Sequence, residues 1–255
     1  MVRSDIHFGF VAILLFVLSP FNSAGACEAT GVHLDAGALK KSLNKGQFAT
    51  KGEFETTDQF AARTKQFFAM ANVPLDGSPF TLTFKMPQNA VLYDADKGKL
   101  TLWSYQSIPN QFDFRATLSG QLSHLSGFAF EEVGHTNGTY VAQNEFGATT
   151  TVTSGSLTNY ALVWDSNTMI ARPGTLELEM EPGRAKELEP QMMVTVEAKA
   201  LPPYLVKNTD FSKATFDDPT DLAVNVFGLY VQPICVVVHS VGQTLFTWEP
   251  FTGGQ

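Results

Sequence analysis

One stretch of this chain, from Gly52 to Ala71, has the features of a long amphipathic helix, and almost everything after it has the pattern of β-strands. Thr56 and Gln59 have the spacing of a capping box, in which each side chain accepts a hydrogen bond from the backbone N–H of the other residue. Four side chains recur at the spacing of one helix face, namely Phe60, Thr64, Phe67 and Phe68. Each phenylalanine gains about 1.5–3 kcal/mol when fully buried, so the helix predicted over residues 56–71 is expected to pack this face on a sheet.

The segments that follow this helix alternate between apolar and polar side chains, as strands with one buried face do. The clearest example runs from Phe80 to Met86, and the turn signal Asn137-Gly138 separates two of the predicted strands. Pro202-Pro203 and the polar segment to Thr220 are predicted to form a loop, with a short strand near Ala214 as an option. Short connections favour antiparallel pairing, because parallel strands need long crossovers. The predicted fold class is therefore α+β and mostly antiparallel β. It has about a dozen strands in sandwich- or barrel-like sheets, on which the 56–71 helix packs.

The N-terminus has the three parts of a secretory signal peptide. Arg3 supplies a positive charge, an apolar run extends from Phe8 to Leu18, and Ala24-Gly25-Ala26 provides a cleavage site. The apolar run is too short to cross a bilayer as a helix, which takes about 20 residues. Residues 1–26 are therefore predicted to be removed on export, and no transmembrane segment is expected in the mature chain.

The mature chain is predicted to form a single β-rich body over residues 27–255. A short helix from Leu34 to Lys45, with Asp35 as its cap, is expected to precede the longer one. The polar segment at 165–174, which contains Pro173, is the best candidate for a boundary within this body.

The two cysteines of the chain, Cys27 and Cys235, have three alternative states. In an oxidising compartment they can form a disulfide that ties the mature N-terminus to a late strand. Alternatively Cys27 carries acyl chains, because Ala-Gly-Ala-Cys resembles a bacterial lipobox at the two positions before the cysteine, although Ala24 stands where leucine is usual. The third state is a pair of free thiols. The disulfide is the predicted state, with a membrane tether through Cys27 as the alternative.

Charge limits the partners of this protein. The chain has 17 Lys and Arg residues against 25 Asp and Glu residues, for a formal net charge of −8. No nucleic-acid partner is expected, because nucleic-acid binding depends on clusters of basic side chains.

The titratable residues match no catalytic, cofactor or metal motif in full. Glu132-x-x-His135 is half of a zinc-peptidase pattern, and residues 132 and 135 point to opposite faces of a strand. Asp94-x-Asp96-x-Gly98 is read as a polar hairpin turn, and the loop with Asp217, Asp218 and Asp221 as a solvated acidic segment. No catalytic residue, cofactor or metal site is therefore predicted.

The segment that opens the long helix resembles one found in a group of exported proteins. Phe54-Glu55-Thr56, followed by Phe60 and Arg63, resembles the F-E-T-x-x-x-(aromatic)-x-x-R pattern of uncharacterised exported proteins and lipoproteins of Gram-negative bacteria. Weaker companions are Tyr93-Asp94-Ala95-Asp96 and Asn144-Glu145-Phe146-Gly147, so that the resemblance covers about a third of the chain. It implies a bacterial envelope location, periplasmic or membrane-tethered, and no activity. Glu55 and Arg63 are read as helix-positioning residues that pair with each other or with the sheet.

Three functional hypotheses follow from these patterns. The leading one is a non-catalytic envelope protein that acts as an interaction or structural module and binds another protein or the cell-wall surface, since exposed polar strand faces suit interaction. The second is a periplasmic carrier or sensor of an apolar small ligand, because some of the 21 phenylalanines can line a pocket. The third is a hydrolase whose site is assembled only in three dimensions.

Overall fold

The computed structural model describes residues 31–46, 51–86, 91–102, 111–118, 121–166 and 176–248. Within these ranges the chain is α+β and mostly β, with three α-helices and eleven strands. In chain order they are β1 (Val32–Leu34), α1 (Ala36–Gly46), α2 (Thr57–Phe68), β2 (Pro79–Lys85), β3 (Val91–Asp94), β4 (Lys99–Leu102), β5 (Gln111–Leu118), β6 (Gln121–Gln143), β7 (Thr149–Asp165), β8 (Leu176–Glu179), α3 (Pro182–Leu188), β9 (Met193–Ser212), β10 (Thr220–Ser240) and β11 (Gln243–Trp248).

The strands form two sheets. The larger has the order β1-β2-β9-β10-β7-β6-β5, with β11 also paired to β10, and the smaller has the order β3-β4-β8. Most pairs are antiparallel, as predicted, but β1 pairs with β2 and β7 with β10 in parallel, so the larger sheet is mixed. In both parallel pairs a long segment of chain connects the two strands. It contains α1 and α2 between β1 and β2, and it runs from β8 to β9 between β7 and β10. The finer expectation of a sandwich- or barrel-like arrangement stays a prediction.

Helix α2 is confirmed together with its cap. The Thr56 hydroxyl accepts from the Gln59 N–H at 3.2 Å, and the Thr56 N–H donates to Gln59 Oε1 at 2.8 Å. The α-helix ends at Phe68 and a 3₁₀ turn continues to Ala71, which together span the predicted range. Its buried side chains are Ala61, Thr64 and Phe68, and they face the sheet at β9.

Helix α1 is also capped as predicted, since the Ala38 N–H donates to Asp35 Oδ1 at 2.7 Å. It begins two residues later than predicted because Leu34 belongs to strand β1 instead. This short strand pairs in parallel with Phe80 to Leu82 of β2, so the two helices form the crossover between neighbouring parallel strands.

The predicted turn at Asn137-Gly138 is wrong. Strand β6 runs through both residues, and the register against β7 shifts between Thr136 and Gly138, as at a β-bulge. Gly138 has φ of +138°, which favours glycine at a turn and at a bulge alike. The β6–β7 turn instead follows Gln143.

The predicted loop from Pro202 to Thr220 is largely wrong as well. Strand β9 continues through the cis Pro202–Pro203 peptide to Ser212, and only residues 213–219 form the loop. Pairing with β10 is interrupted at the prolines, because Ala200 pairs with Val231 and the next pair is Leu205 with Leu229. Prolines lack an N–H, so they are tolerated in a strand where the ladder is already broken.

The main core lies between the helices and one face of the larger sheet. It is formed by large apolar side chains from α1, α2 and the sheet, among them Leu39, Leu43, Phe68, Phe80, Leu82, Phe128, Leu162, Trp164, Val196 and Leu229. The rings of Phe128 and Trp164 lie 4.8 Å apart at their centroids. Side chains of the smaller sheet and of α3 join the same core.

A second, smaller cluster lies on the other face of the larger sheet. It consists of Ala116, Leu125, Ala161, Val163, Val206 and Val226, which come from β5, β6, β7, β9 and β10. Strands β5 and β9 approach each other there although they are not hydrogen-bonded neighbours, so the sheet curves around this cluster.

Four strands extend beyond both clusters. Their outer parts are residues 134–143 of β6, 149–158 of β7, 207–212 of β9 and 220–225 of β10, and nearly all of these residues are exposed or half-buried. We call this four-stranded extension the arm, and the end formed by its two connecting turns the distal end.

Several predictions fall outside the described residues. They are the signal peptide at 1–26, Cys27, and most of the candidate boundary at 165–174, including Pro173. Cys235 lies in β10 and is 3% exposed, and its disulfide with Cys27 stays a prediction. Among the described helices, none has the length and apolar character needed to cross a membrane.

Candidate interaction surface

The arm consists of two hairpins held side by side. One is β6–β7 and the other is β9–β10, and the parallel pairing of β7 with β10 joins them. The Thr153 N–H donates to the Pro219 carbonyl at 2.9 Å where β10 begins. The two turns are thereby fixed next to each other at the distal end.

The β6–β7 turn is organised by one side chain, that of Asn144. Its Oδ1 atom accepts hydrogen bonds from the N–H groups of Phe146 at 3.0 Å and Ala148 at 2.9 Å. The Gln143 side chain also donates to the Gly147 carbonyl at 3.0 Å. With the backbone held in this way, the Phe146 side chain is 87% exposed.

The β9–β10 loop is fixed by a reciprocal pair of hydrogen bonds. The Thr215 N–H donates to the Asp218 carbonyl at 2.8 Å, and the Asp218 N–H donates to the Thr215 hydroxyl at 3.0 Å. Phe216 lies between them and is 53% exposed. Both turns therefore present a phenylalanine to solvent on a hydrogen-bonded backbone.

Asp221 connects the two hairpins. The Tyr140 hydroxyl donates to Asp221 Oδ2 at 2.6 Å, and the Ala214 N–H donates to Asp221 Oδ1 at 2.7 Å. These two hydrogen bonds hold the pKa of the Asp221 carboxyl below its usual range, and the bond from Tyr140 has the larger effect. The same bond, together with partial burial, raises the pKa of the Tyr140 hydroxyl.

A small cavity opens between the turns, with a volume of about 160 Å³. Its walls are mixed, with apolar side chains such as those of Val152 and Phe216 beside polar ones such as those of Asn144 and Thr150. The lining residues are Tyr140, Ala142, Gln143, Asn144, Thr150, Val152, Ala214, Thr215 and Phe216.

Two exposed aromatic side chains, Tyr140 and Phe216, line this cavity, and two more lie in the β6–β7 turn and near the end of β9. We define the distal patch as Tyr140, Phe146, Phe211 and Phe216, each of which is exposed. The strand register places Tyr140 and Phe211 on the same face of the arm, since Tyr140 is opposite Val152 and Phe211 is opposite Ala223. Isolated apolar side chains are common on protein surfaces, but a group of large ones indicates a contact surface.

Carboxylates surround the distal patch. Glu145, Asp217 and Asp218 lie in the two turns and are exposed, whereas Lys213 is the one basic residue of these turns. Within the described part of the chain, these three carboxylates make no ion pair. The distal end therefore combines exposed aromatic rings with unneutralised negative charge.

The residues that sequence patterns singled out lie elsewhere. Arg63 donates from Nε and Nη2 to the two carboxylate oxygens of Glu55, both at 2.9 Å, and the Gly52 N–H donates to Glu55 at 3.0 Å. The hydrogen bonds from Arg63, and to a smaller extent the one from the Gly52 N–H, lower the pKa of Glu55 from 4.5 to about 2. The guanidinium also lies 5.1 Å from the centre of the Phe60 ring. The pair lies at the entry into α2, and its role as a positioning pair stays a prediction.

The half zinc motif, Glu132 and His135, lies in β6 at the base of the arm, next to Glu131. Glu131 forms an ion pair with Lys40 of α1, while Glu132 and His135 are exposed. No group of three or more His, Cys, Asp or Glu side chains suited to a metal ion occurs in the part of the chain that the structure covers.

Asp94 accepts from the N–H groups of Asp96 and Lys97, both at 3.1 Å, as a hairpin turn requires.

The acidic loop is more structured than predicted. Asp217 and Asp218 are exposed as expected, but Asp221 accepts the two hydrogen bonds that join the hairpins. The aromatic residues of the distal patch were not predicted as a site. The available signal was a phenylalanine placed among turn-forming residues, as in Asn144-Glu145-Phe146-Gly147 and Thr215-Phe216-Asp217.

Comparison with known proteins gives no relative for this chain. No protein-family model, no curated protein and no solved structure showed a significant match.

Proposed function

We propose that this chain is a non-catalytic interaction protein of a bacterial cell envelope, and that it binds a protein partner through the distal end of the arm. The observation that carries the proposal is the distal patch, with four exposed aromatic side chains in the outer part of the arm, of which Tyr140 and Phe216 line a small cavity. Large aromatic side chains supply a disproportionate share of the binding free energy at protein interfaces.

The fixed backbone of the turns supports this function. Binding costs free energy when loops and side chains become ordered, and a preorganised surface reduces that cost. Asn144 and the Thr215–Asp218 pair each hold one turn, and Asp221 holds the two hairpins together. The phenylalanines are therefore presented on a surface whose shape is set before the partner arrives.

The dimensions of the cavity favour this role over an apolar-ligand carrier. Small-molecule sites have volumes of about 300–1,000 Å³, and the distal cavity has about 160 Å³. Phe68, Phe80, Phe84, Phe128 and Phe130 are buried in the main core. These five phenylalanines serve packing, which supports an interaction protein over an apolar carrier.

The envelope location in this proposal rests on the sequence. Its supports are the signal-peptide pattern at 1–26 and the resemblance of the Phe54–Arg63 segment to exported proteins of Gram-negative bacteria. An exported protein that presents its binding residues at the end of a projecting arm can reach a partner on another envelope component.

Co-purification from the native cell envelope tests the proposal. The test variant carries Phe146→Ser and Phe216→Ser, and the control carries Phe54→Ser, which removes a 93% exposed phenylalanine from the helix side of the molecule. We expect a partner that copurifies with the wild type and the control but is lost with the test variant. A partner retained by the test variant, or no partner with the wild type, would contradict the proposal.

A further inference from the structure

We infer that the partner presents a lysine or arginine side chain, and that this side chain enters the distal cavity as the anchor of the complex. The inference rests on the proposed function, because it identifies the chemistry of the partner at the same surface. It follows from the size of the cavity, the nature of its walls and the charge around its mouth.

The cavity has room for one long side chain. Its volume is about 160 Å³, and the apolar residues that line it are Ala142, Val152, Ala214 and Phe216. These walls offer apolar contact to a methylene stem, and the Thr150 and Thr215 hydroxyls offer polar contact beside it. Lysine and arginine have this composition, since they bury a hydrocarbon stem while the charged group stays near water.

The charge around the cavity favours a cation. Glu145 follows the lining residue Asn144, while Asp217 and Asp218 follow the lining residue Phe216. Aromatic rings attract cations through their π-electron faces, and Phe216 and Tyr140 both line the cavity. We therefore expect an ammonium or guanidinium group at the mouth to be attracted by these sequence-adjacent carboxylates and by the aromatic rings.

The same features disfavour other occupants. An anionic lipid surface is repelled by the acidic turns, because such membranes attract basic segments. A second copy of this chain would place one acidic distal end against another. Addition of a strand to the outer edge of β6 is hindered by the bulge between Thr136 and Gly138, since bulges interrupt a pairing edge.

The test uses the purified full-length chain and two synthetic peptides. Both peptides repeat a Leu-Ser-X unit, in which X is Lys in one peptide and Glu in the other. Each peptide carries a fluorescent label for anisotropy titration. We expect the Lys peptide to bind with an affinity that falls as salt rises, and the Glu peptide not to bind. Asp217→Asn with Asp218→Asn should weaken binding by roughly fivefold, as expected for two exposed ion pairs.

A matched control removes two exposed carboxylates elsewhere. Glu53→Gln with Asp96→Asn makes the same change in net charge, away from the arm, and should leave the affinity unchanged. If both double variants weaken binding equally, the attraction depends on net charge alone and the inference fails. Phe216→Ser should weaken binding of the Lys peptide as well, because it removes one wall of the cavity.

Other outcomes separate this inference from the proposed function. Binding of the Glu peptide, binding of phosphatidylglycerol vesicles, or dimerisation in sedimentation that Phe216→Ser abolishes would each overturn the cationic anchor. If the Lys peptide does not bind while the Phe146 and Phe216 variant still loses its native partner, the anchor is overturned and the proposed function stands.

Discussion

The Tyr140 hydroxyl donates a hydrogen bond of 2.6 Å to the Asp221 carboxylate, which lies 81 residues away in the sequence. Tyr140 belongs to the β6–β7 hairpin and Asp221 to the first residues of β10, so this bond joins the two hairpins that form the distal end. The other Asp221 oxygen accepts from the Ala214 N–H at 2.7 Å. A single carboxylate thus sets the position of the β9–β10 loop relative to β6.

Removal of the Tyr140 hydroxyl should raise the pKa of Asp221. In the wild type the Tyr140 bond is the largest cause of the lowered pKa, so Tyr140→Phe moves the pKa towards its usual range. A carboxyl with a lowered folded-state pKa stabilises the fold above its unfolded-state pKa, and this contribution is lost as pH falls through the folded-state pKa. The measurement is an NMR pH titration of the Asp221 carboxyl carbon.

Tyr93→Phe is the matched control for this titration. The Tyr93 hydroxyl donates to the Met180 carbonyl at 2.9 Å in the smaller sheet, away from Asp221. It should leave the Asp221 titration unchanged. An Asp221 pKa that stays low in Tyr140→Phe would show that the hairpins are joined in another way.

The Glu55–Arg63 pair should make stability depend on pH in the acid range. The pKa of Glu55 is lowered from 4.5 to about 2, so its contribution is complete above about pH 4.5 and is lost as pH falls towards 2. Glu55→Gln should destabilise the fold at pH 7, and the difference from wild type should shrink between pH 4.5 and pH 2. Urea unfolding at a series of pH values measures this.

Arg63→Gln completes the comparison, since it removes the partner of Glu55. The double variant with Glu55→Gln should be little worse than either single variant, because each one already breaks the same interaction. Additive losses of stability would contradict the pairing as the cause.

Gly228 should not tolerate a side chain. A Cβ atom at this position would lie 2.3 Å from Val163 Cγ2, in the smaller apolar cluster where the sheet curves. Overpacking of this kind costs about 1–3 kcal/mol, so Gly228→Ala should lower the free energy of unfolding by that amount. Urea denaturation measures the change.

Two variants control this experiment. Gly183→Ala adds the same methyl group in α3, where nothing lies within 4 Å, and should be neutral or stabilising by up to about 1 kcal/mol. Val163→Ala combined with Gly228→Ala should recover part of the lost stability, because it removes the clashing methyl groups. Equal effects of the two glycine substitutions would refute the proposed clash.

The state of the cysteines should be visible in the intact mass. With the predicted Cys27–Cys235 disulfide, the exported chain begins at Cys27, is two hydrogen atoms lighter than the reduced chain, and loses about 2–5 kcal/mol of stability on reduction. Acyl chains on Cys27 would instead add the mass of lipid. A chain that reacts with two equivalents of a thiol reagent when unfolded without reductant has two free thiols. That result would contradict both the disulfide and the acylated Cys27.

Local sequence signals predicted the parts of the fold that depend on local interactions. The capping box at Thr56 and Gln59, the Asp35 cap and the turn after Asp94 all form within a few residues, and all are confirmed. The Asn137-Gly138 signal failed because β7 continues to pair with β6 on both sides of it. Tertiary pairing then converts a turn sequence into a bulge.

The candidate site was less predictable for a related reason. A strand with a buried apolar face and a strand with an exposed apolar face have the same alternating pattern. Phe80 lies in a segment predicted as a strand and is fully buried, whereas Phe211 lies in the segment predicted as a loop and is an exposed residue of β9. What exposes Phe211 is that β9 extends beyond the core, and strand length relative to the core depends on long-range packing.

Site-specific photo-crosslinking in the native envelope tests the central claim, that the distal end is the binding surface, most directly. A photoreactive phenylalanine analogue replaces Phe146 or Phe216 in the test chains, and replaces the exposed Phe54 or Leu92 in the controls. The account predicts the same discrete adduct from positions 146 and 216, and none of that mass from positions 54 and 92. An adduct that forms equally from the control positions, or only from them, would contradict it.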